Sequence, residues 1–218
     1  MKRWAVLVII LYAVSLSLLA YPLFLLLPQW FDPSDDPSDL VKVYFVWIAP
    51  VLLVVQAVLL LIPVASAQQR PIKRRSIVLS AFIAGIPMAA LTLSFVLFAL
   101  LMAFTENFAG FPNASTFQGI FAILWLVWGF IFLRSYANQN PNALLSTITQ
   151  WLLKGSILEL LVAVPSHIIS RRRDECCAPA MTLLGIAMGL AIALLSFGPG
   201  LFFLFARRIK DKTRAAAG

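Results

Sequence analysis

Between Ser166 and Ala180 the chain reads SHIISRRRDECCAPA, a stretch that holds its one histidine, His167, and both of its cysteines, Cys176 and Cys177. Glu159 precedes the histidine by about two helical turns, within an otherwise apolar run. Carboxylate, imidazole and two sulfurs make a candidate metal-ligand set of Glu159, His167, Cys176 and Cys177, and thiolates select soft ions such as Cu, Zn or Hg. The spacing is unlike the short Cys-x-x-Cys or His-x-x-x-His arrangements. Adjacent cysteines reach one ion only through a turn, which Pro179 favours.

The arginines between them bear on either use of the thiols. Arg171, Arg172 and Arg173 favour thiolate at the neighbouring sulfurs, while Asp174 and Glu175 offset part of that field. The same run suits docking onto anionic lipid headgroups or onto another membrane subunit. A vicinal cysteine pair followed by an apolar helix is locally similar to the metal-carrying pair of the mercuric-ion transporters. That resemblance covers Cys176, Cys177 and Pro179, and it implies relay of a soft cation. The arginine run and the extra apolar segments depart from that family's pattern.

The segment that must position Glu159 and His167 is itself polar in places. It carries Lys154, Gly155, Ser156, Pro165, Ser166 and Ser170 among leucines and isoleucines. Thr147, Gln150 and Lys154 share one helical face, whereas Glu159, Ala163, Ser166 and Ser170 share another. The change of face at Gly155 predicts a broken segment over 142–170, with an interfacial helix, a hinge at 154–156 and a second helix entering the bundle. Lys154, Ser166 and Ser170 are then polar groups inside the bundle. Broken polar segments at membrane depth line cavities or lie buried in protein, which makes this one the functional suspect.

The rest of the chain defines the solvent. Of its 218 residues 61% are hydrophobic and 12% charged, too little polar surface for a water-soluble globule of this length. Apolar windows over 4–27, 43–64, 77–104, 117–133 and 181–206 approach or exceed the roughly 20 residues that a span requires. The expected architecture is an all-α polytopic transmembrane bundle forming one domain, with five clear spans plus 142–170 as a re-entrant or sixth segment. The basic start at Lys2 and Arg3 reads as a signal anchor rather than a cleaved peptide.

Charge asymmetry supplies an orientation. Lys2 and Arg3, the cluster Arg70, Lys73, Arg74 and Arg75, and the tail from Arg207 to Arg214 belong on the cytoplasmic side of a bacterial-type inner membrane. With both ends inside, the number of crossings is even, which asks 142–170 to cross. The net charge of +8 is this topological signature and gives no reason to expect nucleic acid.

Other motifs carry less chemistry. The repeated DPSD between Asp32 and Asp39 fits turns and a helix cap better than a calcium loop. Asn113 begins an Asn-x-Ser acceptor pattern to which no role is attached. Gly185 and Gly189 form a GxxxG spacing that lets helices approach closely, and Pro50, Pro87 and Pro199 predict kinks. No nucleotide loop, zinc-protease motif or nucleophile elbow occurs, so the reading leans away from an enzyme. Soft-metal handling or transport is the first functional expectation, and an assembly or structural subunit of a membrane complex is the alternative. A thiol oxidoreductase is third, because a single cysteine pair lacks an exchange partner.

Overall fold

The computed structural model describes residues 2–26, 44–67, 72–93, 114–136, 141–170, 172 and 178–215. They form six helices: α1 (Lys2–Leu26), α2 (Tyr44–Ala67), α3 (Arg74–Leu93), α4 (Ala114–Tyr136), α5 (Pro141–Ser170) and α6 (Ala178–Ala215). Helices α2 to α6 are each long and apolar enough to cross a bilayer, and α1 runs for 25 residues. In hydrocarbon a backbone must satisfy its own polar groups, and an α-helix does so within one segment. The expected all-α bundle is therefore what the chain forms.

Helix α2 is irregular at two places. It opens with a π-helical turn at Tyr44–Ile48 just before Pro50, and it is interrupted at Leu60, three residues before Pro63. Proline has no N–H to continue the ladder, so both irregularities have a local cause. Leu60 nonetheless keeps its bond to the Gln56 carbonyl at 3.1 Å, and Val64 bonds the Leu60 carbonyl at 3.1 Å, so the axis carries on. Pro87, Pro165 and Pro199 all lie inside continuous helices.

The helices close into a bundle. Helix α6 packs on α5, α1 and α2, α5 on α3 and α2, α3 on α2, and α2 on α1, while α4 sits to one side against α3 and α5. Only 11% of α4's apolar window is buried, compared with 56% for α3, so α4 presents most of its surface to lipid. The α3–α4 pair is joined at glycines. A Cβ on Gly85 would lie 3.1 Å from the Gly129 nitrogen, and the Trp125 indole donates to the Phe82 carbonyl at 2.8 Å. The main core gathers Leu16, Val55, Ala84, Phe132, Leu152 and Ile192, one from each of the six helices.

One expectation needs correction. Residues 141–170 form a single 30-residue helix, with no hinge at 154–156. Its buried residues Leu145, Ile148, Leu152, Ser156, Glu159, Ala163 and Ser166 follow each other at spacings of three and four, which is one unbroken stripe. Ser156 bonds the Leu152 carbonyl at 2.8 Å and so brings no unsatisfied hydroxyl into the core. Gly155 marks a close approach instead: a Cβ there would stand 3.3 Å from Leu91 and 3.4 Å from Met88. The polar residues Thr147, Gln150 and Lys154 lie off the buried stripe, which created the impression that the face changes.

Candidate functional site

Helices α5 and α6 run antiparallel. Glu159 lies against Gly185 and Gly189, and four residues further along α5 the Ala163 methyl lies against Gly185, so contacts descend α6 as α5 rises. Glycines four apart put backbone where a side chain would otherwise hold the helices apart. Here the space they leave is taken by a carboxyl group. A Cβ on Gly189 would lie 2.5 Å from Glu159 Oε2, and one on Gly185 would lie 3.3 Å from Oε1.

Glu159 is 1% exposed, and neither carboxyl oxygen has a hydrogen-bond partner. The groups that meet the two glycine seats, besides the carboxyl itself, are Leu160 and Ala163. Burying an unpaired carboxylate in apolar surroundings is prohibitive, and such a group holds a proton, a cation or a donor that arrives from elsewhere. An intramembrane acid without a structural ion pair is a functional candidate for that reason.

The other residues singled out by the sequence are placed as follows. His167 is half-buried, eight residues along α5 from Glu159, or about 12 Å of helical rise. Both His167 and Ser166 have interactions of their own, and Ser166 is 4% exposed on the buried stripe. Lys154 is exposed rather than inside the bundle, about 140° around α5 from Glu159, so the two do not pair. Arg172 is exposed just beyond the end of α5, its N–H bonded to the Ile169 carbonyl at 3.0 Å. Cys176, Cys177, Arg171, Arg173 and the side chain of Ser170 lie outside the described residues, as do the DPSD repeat and Asn113. Among the described residues no group of three or more His, Cys, Asp or Glu is arranged to hold a metal ion.

A second buried polar group was missed by the sequence reading. Gln56 of α2 is 0% exposed, and both amide atoms lack partners. Its amide is packed directly onto Gly198, beside Pro199. Because Pro199 has no N–H, the helical partner of the Leu195 carbonyl is missing at this level. The available signal was a lone glutamine in an apolar span, whose amide needs hydrogen-bond partners that hydrocarbon does not supply. Gly198 lies nine residues beyond Gly189, about 180° around α6. Helix α6 thus seats the two unsatisfied side chains on opposite faces.

Tyrosines tie the same helices together. Tyr12 of α1 donates to the Ala191 carbonyl of α6 at 2.9 Å, and Tyr44 of α2 donates to the Leu16 carbonyl at 3.1 Å. Both phenols are buried and satisfied, unlike Glu159 and Gln56. Compared with protein-family models, curated proteins and solved structures, the chain matches none.

Proposed function

We propose that this protein is a membrane cation transporter in which Glu159 is the proton-binding group and the Cys176–Cys177 pair, with His167, receives a soft-metal cargo. The observation that carries the reading is the buried carboxyl seated on Gly185 and Gly189 with no partner for either oxygen. A proton is the one cation that needs no coordination sphere, and the seat supplies none. Exchange of that proton requires α5 and α6 to part or slide, and an interface of glycines permits small axial shifts without side-chain interlock. The basic end of the bundle, with Arg3, Arg207 and Arg208, faces the cytoplasm under the positive-inside rule.

The test is flux in sealed proteoliposomes that carry an internal pH indicator. An imposed gradient of Zn(II) or Cu(I) is expected to move protons with wild type, and Glu159→Gln is expected to reduce that signal by at least about tenfold, in keeping with loss of a positioned proton-transfer group. Cys176→Ser and Cys177→Ser are expected to lower metal flux. If Glu159→Gln retains full proton coupling, the role assigned to the carboxyl is wrong. Metal-independent behaviour of wild type, together with stoichiometric co-purification of other subunits, favours the complex-subunit reading instead.

A further inference from the structure

A cavity of about 280 Å³ lies between α3, α4 and α5, on a side of α5 about 90° around from Glu159. Its walls include Leu91, Thr92, Trp128, Trp151 and Leu158, and Lys154 is its one charged residue among the described residues. The rings of Trp128 and Trp151 stand 5.6 Å apart at an interplanar angle of 60° and form an aromatic corner. The neutral polar groups of one wall are already committed. The Trp128 indole donates to Thr92 Oγ1 at 3.0 Å, and that hydroxyl donates to the Met88 carbonyl at 2.8 Å. The Lys154 ammonium is left as the charged handle of an apolar, aromatic pocket.

Its depth restricts the ligand. Lys154 lies ten residues beyond Leu144, where the apolar run of α5 starts, or about 15 Å along the helix. A hydrocarbon core is roughly 30 Å thick, so this lysine is near mid-depth. Cations there are costly and persist when they meet a counter-ion or line a cavity. A diacyl phospholipid carries a phosphodiester that stays charged and so stays at the interface, whereas a single-chain carboxylic acid reaches this depth as the neutral acid and gives its proton up beside the ammonium. The volume, about 280 Å³, is just below the roughly 300 Å³ at which small-molecule sites begin, and it suits one chain or ring rather than several. Trp151 is 45% exposed and Leu158 54%, so the pocket opens on the bundle's outer surface, toward acyl chains.

We propose that this cavity binds a single-chain lipophilic carboxylate, such as a fatty acid, with its head on Lys154 and its chain against Trp128, Trp151 and Leu158. The ligand is chosen by charge and by depth. A carboxylate on an ammonium in a low-dielectric wall forms a charge-assisted hydrogen bond, while the chain replaces lipid against the indoles.

The experiment uses the full chain in phosphatidylcholine nanodiscs and reads quenching of tryptophan emission by dibromostearate, since bromine quenches indole only at short range. Wild type is expected to show saturable quenching. Lys154→Met is expected to raise the half-saturating concentration by at least about tenfold, as for loss of one charge-assisted bond, and Lys154→Arg to retain it. Trp128→Phe and Trp151→Phe are expected to remove most of the saturable signal, and the neutral methyl ester to bind wild type no better than the acid binds Lys154→Met. Lys154 is exposed, so an unchanged thermal midpoint is expected in its variants. The proposal is overturned if Lys154→Met binds as wild type does, if the ester matches the acid, or if dibrominated phosphatidylglycerol gives the same lysine-dependent quenching, which assigns the pocket to a bilayer lipid.

Discussion

At the scale of single residues, the seat of Glu159 predicts an unusual coupling. A methyl group on Gly189 meets Oε2 at 2.5 Å and Leu160 at 3.1 Å, so Gly189→Ala is expected to destabilise the protein by about 1–3 kcal/mol through overpacking. Gly185→Ala, whose methyl meets Oε1 at 3.3 Å, is expected to be milder. Glu159→Ala removes two unsatisfied oxygens and opens a small space, effects of opposite sign that leave it close to neutral. In the double variant Glu159→Ala, Gly189→Ala the new methyl fills the vacated room, so the two changes are expected to be non-additive by more than about 0.5 kcal/mol. Thermal unfolding in detergent, run as a double-mutant cycle, measures this. Additive losses would place the carboxyl away from α6. Glu159 was legible in the sequence as an acid in an apolar helix, but its glycine seat was not, because the register between two helices is set by packing that no single segment encodes.

At the scale of elements, α5 shows how local residue types mislead inside a membrane. Lys154, Gly155 and Ser156 together read as a helix break in water, where glycine exposes backbone and serine competes for it. In the bundle Ser156 donates back to its own helix and Gly155 admits Met88 and Leu91, so the same residues permit close packing along an intact rod. The stripe Leu152, Ser156, Glu159, Ala163 was present in the sequence, but weighting polar residues over small ones concealed it. The ends of α1, α2 and α4, in contrast, fall close to the hydropathy windows, while α6 runs on through its basic tail to Ala215 and the expected end of the third window at 104 lies outside the described residues. Helix α6 packs against α1, α2, α3 and α5, and Gln56 is its second test. Gln56→Leu replaces two unsatisfied amide atoms with a side chain of similar volume, and the thermal midpoint is expected to rise, the gain being about 1–3 kcal/mol for each group no longer stranded. A fall in the midpoint would mean that the amide is satisfied in the membrane, by bound water or by the Leu195 carbonyl, and that it holds α2 to the proline region of α6. Tyr12→Phe, which breaks the bond to Ala191, is expected to lower the midpoint by the equivalent of about 1 kcal/mol.

At the scale of the whole molecule, helix directions agree with the even number of crossings to which charge asymmetry points. Trp4 at the start of α1 stacks on Phe205 near the end of α6 at 5.2 Å, while Tyr12 reaches back to Ala191, so α1 and α6 are antiparallel and the two basic ends lie together. Val64 and Ala67, at the end of α2, pack against the cluster of Val8, Phe202 and Ala206 at that same end. Since α5 is antiparallel to α6, Pro141 begins there too, and Ser170 and the start of α6 at Ala178 lie at the other end. A six-helix bundle with the start of α1 and the end of α6 on one side follows. Single cysteines at Lys2 and Gly218, in a Cys176→Ser, Cys177→Ser background, are therefore expected to react with a membrane-impermeant maleimide from the same side of sealed vesicles. The native Cys176, in wild type, is expected to react only from the opposite side, because the chain leaves α5 at Ser170 and enters α6 at Ala178 there. Labelling of Cys176 from the side of the termini would mean that α5 does not cross, and Glu159 would then lose the mid-membrane position on which proton exchange between the two compartments depends.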